Sequence, residues 1–384
     1  MSDSSDKTAP AEAPQDFFTS PDETEGGEGK EKSGAEPQAK EPESQHEFKA
    51  PPCPMHHLYV LDPYLFFKKT KPVLGYKPSE AQTRLRDLLQ QHRHLSRPYP
   101  LRGYPKDMVK RWQSLRTSFP NFAEVLDLLE KRYALASLRK GTPVSFPPIL
   151  LLGDPGVGKT AFCTALAKEL GLFYGEIPLA GLTEAFTISG LDLGWSTGNP
   201  GRVFEFLSAA GHANPLMTLD ELDKTGGKSG GGDPTAPLHM LLEKHSAARF
   251  EDVSIRMPAN MSWINWIATA NDPAAIPISL VSRFRRFVIP KPSREEMQAV
   301  TQSVYQRRRE TVVNGDLFAK CLDESVVTLL QDLTPREIGL VLEEAMGNAA
   351  RRPKGRGRIR IHMEDIALPK CEGKRAIGFC PGNN

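Results

Sequence analysis

From Ile149 onward, short apolar runs alternate with longer stretches of mixed polarity. The runs fall at residues 149–152 (ILLL), 172–179 (LFYGEIPL), 215–219 (PLMTL), 263–269 (WINWIAT) and 286–290 (RFVIP). Each has the length of a buried strand and is followed by enough residues for a crossover, which predicts a parallel sheet covered on both faces. Between the first two, residues 159–170 place Phe162, Leu166 and Leu170 at helical spacing. After Pro292 the strand pattern nearly stops. Ser293-x-x-Glu296 and Thr334-x-x-Glu337 read there as capping boxes opening two helices, so residues 293–352 form a small helical unit. Upstream, residues 79–91 predict one helix and two more precede the first strand. In the second of these Asn121 is the expected cap, with Glu124 three residues on, and Phe122, Val125, Leu128, Leu129 and Tyr133 make one core-facing stripe. Pro143, Pro147 and Pro148 break the chain before the sheet begins.

Charge divides the chain further. Residues 1–50 hold 13 Asp/Glu against 5 Lys, a net of −8 that leaves +10 for the remainder of a chain whose total is +2. Rich in Pro, Glu, Ser and Gly, residues 1–52 bury too little apolar surface to offset chain entropy and read as a disordered acidic tail. Residues 53–104 are dense in Pro, His and aromatics and read as a packing or connecting segment. Cys53, His56 and His57 are bunched without zinc spacing. Residues 105–292 then make the α/β domain with its leading helices, 293–352 the helical lid, and 353–384 a basic strand and tail. Five cysteines (Cys53, Cys163, Cys321, Cys371, Cys380) without a C-x-x-C pair fit a reducing, cytoplasmic setting. No run has the length of a membrane span, and the acidic start lacks a signal peptide's layout.

The chemistry gathers at the ends of the apolar runs. Directly after the first run, Gly153, Asp154, Pro155, Gly156, Val157, Gly158, Lys159 and Thr160 spell the phosphate loop G-x-x-x-x-G-K-T. Its glycines let backbone N–H groups approach phosphate, and the helix N-terminus that follows favours negative charge. Lys159 would reach the β- and γ-phosphates of ATP, and the Thr160 hydroxyl would ligate Mg²⁺. The third run ends in Asp220 and Glu221, where a parallel sheet collects its ligands. Asp220 would hold Mg²⁺ directly or through water, and Glu221 would act as the base toward the attacking water. The fourth run ends near Asn271, placed to orient that water or to sense the γ-phosphate.

Together these stretches resemble the AAA+ ATPases, and within them the ATPase part of the Lon proteases. The resemblance covers residues 120–350 and rests on Gly153 to Thr160, Trp195 to Val203 (WSTGNPGRV), Asn214 to Lys224 (NPLMTLDELDK), Gly232-Asp233-Pro234, Ala268 to Asn271 and Ile276 to Arg283 (IPISLVSR). It implies a five-stranded parallel sheet covered by helices and followed by an α-helical lid. It also implies that Arg283 is an arginine finger reaching a neighbouring subunit's nucleotide, with Arg285 and Arg286 as competitors, and that Arg336 is the lid's sensor arginine. Trp195 aligns with the aromatic residue of the pore loop that grips unfolded polypeptide, although Ser196 stands where that family usually has an aliphatic residue. The family's peptidase part has no counterpart in the 48 residues after Arg336.

The expected function is an ATP-hydrolysing, homo-oligomeric motor, hexameric by resemblance, that remodels or unfolds a protein. The alternative is a nucleic-acid-associated ATPase, supported by Arg307, Arg308 and Arg309 and by Arg351, Arg352, Lys354, Arg356, Arg358 and Arg360. A third reading is a scaffold that binds ATP without turnover. The retained Asp220, Glu221 and Arg283 argue against it.

Overall fold

A computed structural model describes residues 49–50, 52–72, 77–225, 233–352 and 357–368. The disorder expected in the acidic head falls outside these residues over 1–48, as do Gly232, Lys354, Arg356, Cys371 and Cys380. All described elements belong to one compact unit, Lys49–Asn384.

Nine helices of seven or more residues occur among the described residues. Ahead of the sheet come α1 (Pro63–Thr70), α2 (Glu80–Gln91), α3 (Met108–Ser118) and α4 (Ala123–Ser137). Ser79 caps α2 in a full capping box with Gln82. The five strands of the main sheet follow: β1 (Ile149–Leu152), β2 (Tyr174–Pro178), β3 (Leu216–Asp220), β4 (Asn265–Ala270) and β5 (Arg285–Val288). Helix α5 (Lys159–Leu170) leaves β1 and α6 (Arg202–Ala209) precedes β3. The lid comprises α7 (Arg294–Thr311), α8 (Glu324–Leu330) and α9 (Pro335–Arg351).

The sheet is wholly parallel with order β2-β3-β4-β1-β5. This order sets the carboxyl ends of β3, β4 and β1 side by side, with Leu152 opposite Ala270 and Leu219 opposite Ala268. Strand β1 is buried throughout, and its residues alternate between two cores. Leu150 and Leu152 face one with Phe204, Leu207 and Met217; Ile149 and Leu151 face the other with Phe162, Leu166 and Phe122. The segment at 53–104 is part of the first core: Val60, Leu61, Leu89, Leu95 and Tyr99 are buried in it. The lid has a third core of its own, built around Tyr305, Val326, Leu330 and Leu342.

Both predicted lid capping boxes form, with Ser293 and Thr334 accepting from the backbone N–H of Glu296 and Glu337. Asn121 departs from expectation. It lies in a 3₁₀ turn, Pro120–Phe122, and α4 starts without a side-chain cap. The amide instead donates to two distant carbonyls, described below, because a buried amide must satisfy its donors wherever acceptors lie. The strand expected within 353–384 reduces, among residues 357–368, to a single bridge between Ile359 and Phe318. Ile361 then turns into the lid core and the chain closes in a 3₁₀ turn at Met363–Asp365.

Candidate functional site

The loop after β1 turns into α5 through Gly156 and Gly158, whose φ angles of 86° and 103° suit glycine. A Cβ at Gly153 would come within 2.6 Å of the Ile289 carbonyl, so the loop packs tightly against the exit of β5. At Gly158 a Cβ would meet nothing within 4 Å, which leaves the concave side of the loop open. That side forms one wall of a cleft of about 530 Å³, closed opposite by α7 and α9.

Lys159 is only 8% exposed. Its Nζ donates to the carbonyls of Gly153 (2.6 Å) and Asp154 (3.1 Å) and to Oδ1 of Asn271 (2.8 Å). Burial pulls its pKa down, against the opposing pull of Asp223, Asp220 and Asp154. Thr160 donates through Oγ1 to Asp220 Oδ1 (3.1 Å), and the Thr269 hydroxyl donates to the same oxygen (2.6 Å). Thr160 and Asp220 thus present hard oxygen donors together, the donor type Mg²⁺ takes alongside phosphate oxygens and water. Glu221 follows in the left-handed region at φ 56°, uncommon for a residue with a side chain. Its N–H donates to Thr269 Oγ1 (3.1 Å), and its Oε1 accepts from Lys224 Nζ (2.5 Å). The general base expected from sequence is therefore held on an ammonium.

The cleft brings together Asp220, Glu221, Asn271 and Arg336 with the phosphate loop. Arg336 is exposed and forms no ion pair with another described residue. Arg283 does not line the cleft. It pairs with Glu243 (2.9 Å) and donates to the carbonyls of His239 and Ser279. Arg285 and Arg286 lie on the exposed edge strand β5.

Three contributors escaped the sequence reading. Asn121 lines the cleft and ties the phosphate loop to the exit of β5, donating to the carbonyls of Val157 (3.4 Å) and Pro290 (3.0 Å). Asp223 accepts from the N–H groups of Asn271 (3.0 Å) and Asp272 (2.9 Å), fixing the turn that carries Asn271. Arg307 lines the cleft from the lid, 4.8 Å from the centre of the Phe119 ring, and burial lowers its pKa. In the sequence Asn121 read only as an expected helix cap, Asp223 only as an acid within LDELDK, and Arg307 only as one of three consecutive arginines. Of its two neighbours, Arg308 lines the cleft and pairs with Glu343, while Arg309 donates to Gly315 and Gln306 within the lid, so these arginines are not simply a solvated helix face.

Residues 149–291 match the profile of the ATPase family associated with various cellular activities (AAA). Lon protease 2 of Thermus thermophilus is 32% identical over 253 residues, covering 62% of this chain and 31% of that protein. The peroxisomal Lon protease homolog 2 of Danio rerio is 33% identical over 186 residues, 48% of this chain and 22% of that protein. The chain thus spans about a third or less of the length of these relatives. Among solved structures, an S. cerevisiae Hsp104-ADP complex has a TM-score of 0.52 at 14% identity, covering 69% of this chain and 43% of that one. A closed-state structure of Hsp104 with ATPyS and FITC casein has a TM-score of 0.51, also at 14% identity, covering 64% and 48%. At that identity the likeness speaks to fold alone. Residues 149–291 thus match the AAA family, the chain is similar over part of its length to the AAA-containing Lon proteases, and its α/β sheet and helical lid share their fold with Hsp104.

Proposed function

We propose that this chain binds ATP with Mg²⁺, hydrolyses it, and uses the cycle in a homo-oligomeric, hexameric ring to remodel or unfold a protein substrate. The carrying observation is convergence: Lys159, Thr160, Asp220, Glu221 and Asn271 come from three adjacent strand ends onto one cleft. Lys159 and the loop N–H groups would hold the triphosphate, Thr160 and Asp220 the metal, and Arg336 would report the γ-phosphate to the lid. Bound Mg²⁺ would neutralise charge on the triphosphate. Glu221, released from Lys224, would accept the proton of the attacking water while Asn271 orients it. Trp195, 67% exposed on its loop, offers a broad ring for non-specific contact with a polypeptide. Arg283 would serve the neighbouring subunit's site, for which leaving its own cleft is a requirement.

Glu221→Gln tests this reading. Calorimetry should register Mg·ATP binding near the wild-type affinity, while turnover falls by about 10² or more. Wild-type protein that shows no heat of association with Mg·ATP, or a variant that keeps its turnover, would refute it. DNA-stimulated turnover falling steeply with salt would instead favour the nucleic-acid alternative.

A further inference from the structure

The loop that carries Trp195 is held by a side chain more than a hundred residues upstream. Arg84, half-buried on α2, donates through Nη1 to the carbonyls of Leu193 (2.9 Å) and Trp195 (2.7 Å), and through Nη2 to those of Ser196 (3.2 Å) and Gly198 (3.3 Å). No carboxylate among the described residues pairs with it. A guanidinium presents five donors in a rigid fork, and here the fork is spent on four backbone carbonyls of one turn. The turn is braced from within as well. Asp192 accepts from the Gly194 N–H (2.7 Å) and pairs with Arg256, and Gly198 lies against the Asp192 carbonyl too closely for any Cβ. Helix α2 is itself anchored, with Leu89 buried in the first core and Leu85 and Leu88 packed on it. The chain after α2 grips the other end of the same unit. His92 Nδ1 meets Ser208 Oγ (2.6 Å), His94 Nε2 meets the Ser208 carbonyl (3.1 Å), and Tyr99 donates to the Leu207 carbonyl (3.0 Å), at the end of α6.

We propose that Arg84 is a positioning residue that locks the Trp195 loop in a fixed presentation, so that residues 79–100 and 190–209 move as one block. Through this block a load on Trp195 passes to α2 and the sheet core rather than being absorbed by loop flexing. The inference rests on the reading of Trp195 as a grip on polypeptide. In that setting a rigid turn matters because a loop that yields under load delivers no displacement to its substrate.

The test uses the full chain with fluorescein-labelled casein as an unfolded-protein probe. Arg84→Ala should leave turnover without casein within about twofold of wild type, since Arg84 does not line the nucleotide cleft. It should raise the KM for casein in stimulating turnover about tenfold with little change in kcat, and speed amide exchange over residues 191–199 by about tenfold. Arg84→Lys keeps the charge without the fork and should behave like the alanine variant. Wild-type exchange and KM in Arg84→Ala, or full rescue by lysine, would overturn the proposal. The parent reading fails separately: if Trp195→Ala leaves casein stimulation intact, Trp195 is no grip. The exchange measurement then decides on Arg84 alone.

Discussion

At the scale of single residues, protonation is tied to packing most clearly at His212. It is buried, its Nε2 accepts from the Phe173 N–H (3.0 Å), and its Nδ1 faces Asn214 Oδ1 (3.2 Å), so Nδ1 carries the proton. Burial, and secondarily the Arg102 charge, lower its pKa to about 4. The unfolded chain binds this proton from about pH 6.5, the folded chain only near 4, so the stabilising contribution is complete above about pH 7 and is lost as pH falls. Urea midpoints should hold steady above pH 7 and drop below it, the loss from this group reaching about 3 kcal/mol at pH 4. His212→Gln should flatten that slope. Asn121 shows why residue-level reading from sequence stops where it does. Its N-x-x-E spacing matches a cap, yet its partners lie 36 and 169 residues away. Local spacing carries no trace of either. Asn121→Leu removes the side-chain donor from the buried Val157 carbonyl and from the Pro290 carbonyl at the surface, which should cost about 1 kcal/mol in stability and weaken nucleotide binding several-fold by calorimetry. The phosphate loop and the Asp220-Glu221 pair were legible because their chemistry depends on neighbours in the chain.

Among the elements, strands and capped helices followed the sequence closely because their signals are local: buried apolar runs for the central strands β1, β3 and β4, and Ser293 and Thr334 for the lid helices. Replacing Ser293 with Ala should lower stability by about 1 kcal/mol in urea melts, leaving the start of α7 frayed. What the pattern did not reveal is how strand ends are joined to each other. Asp223 is the clearest case, since it stands among the acids of LDELDK and spends its carboxylate on two backbone N–H groups beyond β4. Asp223→Ala frees the turn that aims Asn271 while leaving Lys159, Thr160 and Asp220 in place. Turnover should fall by about tenfold or more with nucleotide affinity changed far less, a split that comparing kcat with calorimetric Kd would expose. The segment at 53–104 was equally opaque, because its Leu89, Leu95 and Tyr99 join a core shared with α6 and the sheet, partners that lie far along the chain.

For the whole molecule, the position of Arg283 sets the decisive experiment. If it completes a neighbour's site, then Arg283→Ala and Glu221→Gln proteins, each inactive, should regain part of the wild-type turnover when mixed, because some interfaces then hold an intact Glu221 facing an intact Arg283. An arginine serving its own subunit gives no recovery. The lid adds a constraint of its own. With Tyr305, Leu330 and Leu342 sealed in a separate interior, it can swivel as a solid piece without melting, and what joins it to the sheet beside the cleft is a seam that includes Arg307 over Phe119 and the exposed Lys168–Glu310 pair. A small molecule wedged into that seam would then act as a hinge pin. If the proposed nucleotide cycle operates, filling and emptying the cleft would change the molecule's outline by rotation, at little expense in secondary structure, and a chemical event of a few ångströms would become a stroke.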